Sequence, residues 1–111
     1  MPDVSPLLTA VDRLADRLRA APQSRLRRGA AAEGLALARS LAERAQRIEF
    51  PGREPRLIPD AGELLVADQL AVAGHDLAEA LLTGEVVGEE AERQLTEALA
   101  EVAEAARRCG L

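Results

Sequence analysis

The chain holds one histidine, His75, and one cysteine, Cys109, so metal-binding or nucleophilic chemistry has few places to sit. His75 follows Asp68 by seven residues and precedes Glu79 by four. On a helix that spacing puts all three on one face, away from Leu70, Leu77 and Leu81. A histidine between carboxylates can ligate a metal or pass a proton. Protein zinc sites draw on more His or Cys than this, and the Glu-x-x-His pairs of di-iron bundles are absent. The plainer reading is an exposed contact between His75 and Glu79, one helical turn apart.

Other catalytic patterns are missing. There is no glycine-rich phosphate loop, no G-x-S-x-G elbow and no H-E-x-x-H, and Ser5, Ser24 and Ser40 have no histidine near them in sequence. Cys109 excludes an internal disulfide and a cysteine-based zinc site. It reads as a reduced thiol packed as a small apolar side chain. The expectation is a non-enzymatic protein with no cofactor and no metal.

Charge is the next candidate for function. Every basic residue is arginine, and Lys, Asn, Tyr and Trp do not occur, as in proteins from GC-rich genomes. Residues 1–60 carry a net charge of +3 and residues 61–111 a net charge of −8. Arg17, Arg19, Arg25, Arg27 and Arg28 cluster about residue 22, where Arg25, Arg27 and Arg28 point to an anion or nucleic-acid backbone site. Against it stand the net charge of −5 and the single aromatic residue, Phe50, which leaves no platform for stacked bases or a planar cofactor. A helix-turn-helix is further disfavoured by a second helix that is long and apolar. The alternative is that the arginines face acidic residues of their own chain.

These groups must be held by helices. With 111 residues the chain suits one domain, spanning 1–111, with a core of its own. Leu7, Val11, Leu14, Leu18 and Ala21 recur at four-three spacing and predict a first helix over Pro6–Ala21, capped by Ser5 and stopped by Pro22. Leu26, Ala30, Leu37, Leu41 and Ile48 predict a second over Arg25–Ile48, capped by Ser24. Its other apolar set (Ala31, Leu35, Ala38, Ala42) makes it central or part of an interface. Val66, Leu70, Ala73, Leu77 and Leu81 predict a third over Ala61–Thr83, with Asp60 and Glu63 as a capping box. Ala91, Leu95, Ala98, Val102, Ala105 and Cys109 predict a fourth over Glu89–Cys109, with the seam of coiled-coil-like packing. Pro51, Pro55 and Pro59 make the segment between the second and third helices a stiff crossover.

The expected fold is therefore all-α: a four-helix bundle running up-down-up-down with a Pro-rich crossover between helices two and three. In that order the arginine cluster shares a pole with Glu79, Glu85, Glu89, Glu90 and Glu92, and pairs with them. No apolar run is long enough to span a bilayer, and the opening residues do not read as a leader, so a cytoplasmic location is expected.

Apolar surface beyond the core stripes points to a protein partner. Leu35, Ala38, Phe50, Leu57, Ile58, Leu65 and Val72 are the residues expected to meet it. The leading expectation is a small helical interaction module, an adaptor or regulator that binds a protein, itself included, as a homodimer. A nucleic-acid- or anion-binding regulator using Arg25, Arg27 and Arg28 is the alternative.

Overall fold

A computed structural model describes residues 2–86 and 88–111; Met1 and Val87 fall outside it, Val87 in the turn expected between the third and fourth helices. The described residues form helices and connecting segments with no strand. Helix α1 is Ser5–Ala20, α2 is the single turn Gln23–Arg25, and a π-helical segment Leu26–Ala30 leads into α3, Ala31–Glu49. After a long connection come α4, Val66–Thr83, and α5, Gly88–Cys109. With α2, the π segment and α3 counted as one rod, four rods pack as a four-helix bundle.

The predicted stripes lie in the core, apart from Ala21, which falls just past the end of α1 and is only partly buried. Leu7, Val11, Leu14 and Leu18 of α1 are buried, as are all the stripe residues expected on the second, third and fourth helices. Cys109 is buried in this core, its Sγ 3.7 Å from the Ala30 carbonyl.

The direction of the second half differs from expectation. A methyl on Gly34, early in α3, would lie 2.7 Å from Val66 at the start of α4, and one on Gly84, just past α4, would lie 2.7 Å from Ile48 near the end of α3. Helices α3 and α4 therefore run parallel. Arg19 on Asp68 and Asp12 on His75 show α1 antiparallel to α4, while Ser40 on Glu101 and Ala30 on Cys109 show α5 antiparallel to α3. The order is up-down-down-up, not up-down-up-down. Strong contacts link α1 with α4 and α5, and α3 with α4 and α5. The sequence neighbours α1–α3 and α4–α5 thus lie on the diagonals.

The crossover explains this order. Residues 50–65 climb back along α3: the Arg56 backbone meets Gln46, the Ile58 carbonyl meets Arg39, and Glu63 meets Arg27. An extended chain of this length covers roughly 50 Å at about 3.1 Å per residue. A helix the length of α3 needs only about 28 Å.

Three of the expected helix starts shift. Val4, not Ser5, holds the N-cap position of α1, and Asp3 accepts the Ser5 N–H at 3.0 Å. Pro22 precedes α2, so Ser24 lies inside the helical turn rather than capping it. Asp60 does not cap the third helix, which begins at Val66 instead of Ala61. Gly62 at φ +96° breaks the chain first, and Asp60 accepts the Gly62 N–H at 3.0 Å in a local turn. Glu63 is then free to pair with Arg27 at 3.3 Å.

Gly29 and Gly34 weaken a helix by local propensity, and each has a structural reason to be there. Gly29 sits at φ +149° within the π segment, a backbone that other residues rarely adopt, and there it kinks the rod. Gly34 lets α3 approach Val66 and Leu18, where a Cβ would collide.

Candidate functional site: an apolar groove under the crossover

Side chains from both neighbouring helices fix the crossover in place. Gln46 of α3 holds the Arg56 backbone twice: its Oε1 accepts the Arg56 N–H at 2.8 Å, and its Nε2 donates to the Arg56 carbonyl at 3.0 Å. Arg39 Nε donates to the Ile58 carbonyl at 2.8 Å, and Gln69 Nε2 of α4 donates to the Pro59 carbonyl at 3.0 Å. Proline-rich backbone has carbonyls that no sheet or helix satisfies, so long polar side chains on the flanking helices are its natural partners. The segment is a strap with a set course, as its prolines predict.

Between the strap, α3 and α4 lies a groove of about 600 Å³. Ala42 and Ala45 of α3 and Ala73 of α4 lie along it, and Phe50, Leu57, Ile58 and Val72 add larger apolar side chains. The small alanines leave the space. Three of the larger side chains are open to solvent: Phe50 is 48% exposed, Leu57 71% and Val72 60%. Gln69 also lines the groove, and its Oε1 is buried with no hydrogen-bond partner. The charged lining residues are Arg56 on the strap and the carboxylates Glu49 and Asp76 on the helices. None of these three forms an ion pair among the described residues.

The structure gathers four of the seven expected partner residues here: Phe50, Leu57, Ile58 and Val72, with Ile58 half-buried. Leu65 is exposed just before α4, beside the exposed Leu64, and outside the groove. Leu35 and Ala38 are corrected. They are 8% and 0% exposed, because α3 is covered on two sides by α4 and α5, and they belong to the core.

The arginine cluster does not face the acidic residues of the α4–α5 turn. Because α4 runs parallel to α3, that turn and the cluster lie at opposite ends of a molecule 42 Å long. Three of the five arginines find other partners: Arg19 bonds Asp68 at 2.8 Å, Arg27 pairs with Glu63, and Arg25 donates to the Gly110 carbonyl. Its bond to Asp68 is the main cause raising the Arg19 pKa. Of Arg25, Arg27 and Arg28, only Arg28 has no hydrogen-bond or ion-pair partner among the described residues.

His75 does not contact Glu79. It lies 3.0 Å from Asp12 of α1, half-exposed on the seam between α1 and α4, while Asp68 belongs to Arg19. The expected face is real, but two of its members, Asp68 and His75, are taken up by α1. Among the described residues, no group of three His, Cys, Asp or Glu is arranged to hold a metal ion. No described helix is long and apolar enough to cross a membrane.

Sequence reasoning missed the lock between α3 and α5. Ser40 Oγ donates to Glu101 at 2.7 Å, and Arg44 reaches Glu101, Glu97 and Gln94 at 3.2, 3.1 and 2.7 Å. Partial burial opposes the Arg44 charge, but its bonds to Glu101 and Glu97 outweigh that and hold its pKa above the ordinary value. Compared with protein families, with curated proteins and with solved structures, the chain matches none.

Proposed function

We propose that this chain is a helical protein–protein interaction module, a small adaptor or regulator, and that the groove under the strap is where its partner docks. The observation that carries this is the placement of Phe50, Leu57 and Val72, large and exposed, around a groove whose far wall is hydrogen-bonded into position. Leaving such side chains in water is unfavourable, and burying what remains exposed favours association by part of the about 1.5–3 kcal/mol that full burial of one is worth. A fixed groove also spares the ordering entropy that a mobile one loses on binding. Amphipathic helices dock in grooves of this kind through apolar residues one turn apart.

The anion-binding alternative carries less weight, since Arg25 and Arg27 are already engaged within the chain. The two readings differ in salt response: apolar docking persists in high salt, while phosphate binding weakens steeply.

The test is selection of a displayed library of amphipathic helical peptides against the chain at low concentration. The expected result is enrichment of peptides with apolar residues at helical spacing, whose binding survives high salt and is lost on Val72→Asp. Enriched peptides that bind the Val72→Asp protein equally well, or no enrichment, would overturn the reading.

A further inference from the structure

We propose that the occupant of the groove is a second copy of this chain, docked about a two-fold axis so that the strap of each protomer lies over α4 of its partner. This rests on the groove being a docking surface and adds what fills it. The argument is charge complementarity within one face. Arg56 stands on the strap side of the groove and Asp76 on the α4 side, and neither makes an ion pair among the described residues. The strap adds a second cation, Arg53, stacked 5.3 Å from the Phe50 ring centre. The outward face of α4 adds a second carboxylate, the exposed Glu79. The strap also carries the carboxylates Glu54 and Asp60, and Glu49 stands at the end of α3, so the complementary pair across the groove itself is Arg56 and Asp76.

A two-fold contact repeats itself: if one residue meets a second residue of the partner, the second also meets the first. A groove with like charges on both sides would repel its own copy. Here the same operation brings Arg56 to the partner's Asp76 and Asp76 to the partner's Arg56. It also lays Leu57 on the partner's Val72, and Val72 on the partner's Leu57. These are the two most exposed of the groove's apolar side chains, and the contact removes both from water twice over. Because both chains use the same face about a two-fold axis, the contact closes at two copies.

The test is sedimentation velocity over a range of concentrations, with helicity checked by circular dichroism. Wild type should dimerise. Arg56→Glu alone and Asp76→Arg alone each create two like-charge contacts and should weaken the dimer by about tenfold or more. An equimolar mixture of the two single variants should associate again, because each chain then supplies what the other lacks, and the double variant should recover in the same way. Dimers of the single variants as tight as wild type, or a mixture that stays monomeric, would overturn the proposal. So would a wild type that stays monomeric at millimolar concentration. If that monomer still selects helical peptides lost on Val72→Asp, the docking reading stands and only the second copy falls. If it selects none, both fall.

Discussion

Val11 of α1 lies against the bare Cα of Gly74 in α4: a methyl there would come within 2.5 Å of Val11 Cγ1 and 3.0 Å of its Cβ. Only glycine lets these helices close to this distance, and the branched valine cannot swing away from its own Cβ.

Gly74→Ala is therefore expected to destabilise the bundle. The substitution gains about 1 kcal/mol of helix propensity. Overpacking against Val11 costs about 1–3 kcal/mol. The net loss should be up to about 2 kcal/mol, read as a lower midpoint in denaturant. In a Val11→Ala background the clash is relieved, so the same change should become neutral or favourable. Equal effects of Gly74→Ala in both backgrounds would show that this contact does not set the helix spacing.

Gln46 gives a local prediction rather than a global one. Its amide makes two of the four side-chain bonds that fix the strap, to the N–H and carbonyl of Arg56. Each such bond is worth about 1 kcal/mol. In Gln46→Ala the strap should open more often, and trypsin should cut after Arg53 and Arg56 roughly tenfold faster. Cleavage within α5 and the denaturant midpoint should move little. Unchanged cleavage at the strap would mean that Arg39, Gln69 and the prolines hold it without Gln46.

How far the sequence was legible follows from which interactions are local. The stripes of α1, α3, α4 and α5 were readable because four-three spacing is a property of one helix. The crossover was readable because Pro51, Pro55 and Pro59 exclude a helix there. The direction of the second half was not, because no local preference records whether residues 50–65 turn across the end of the bundle or run back along it. Their length was the available clue, being enough to cover α3 from end to end. The misplaced charge pairing followed from that one error, since reversing α4 moves Glu79 and Glu85 to the far pole.

The site was half legible for a similar reason. Phe50, Leu57 and Val72 stand outside every core stripe, which is visible in sequence. Leu35 and Ala38 also stand outside the main stripe of their helix, but α3 has two covered faces and they occupy the second. Gln46, Gln69 and Arg39 read as ordinary surface residues. Their role comes from a backbone segment ten or more residues away, which only the fold brings to them.

Cys109 yields a prediction on pH that this composition makes unusually clean. The chain contains no lysine and no tyrosine, and arginine stays charged throughout, so Cys109 is the one side chain that titrates between about pH 8 and 11. Burial raises its pKa above the ordinary 9.0, and repulsion from Glu33 adds to this. In the unfolded chain the thiol ionises near its ordinary value, while in the folded chain it keeps its proton to higher pH. The stability this contributes is complete below pH 9.0 and is lost as pH rises through the folded value. Wild type should therefore lose denaturant resistance as pH rises above 9.0, and Cys109→Ala should lose clearly less over the same range. At neutral pH a thiol reagent should modify the native protein slowly and the denatured protein at once. An alkaline loss of the same size in Cys109→Ala would show that the thiol is not the group responsible.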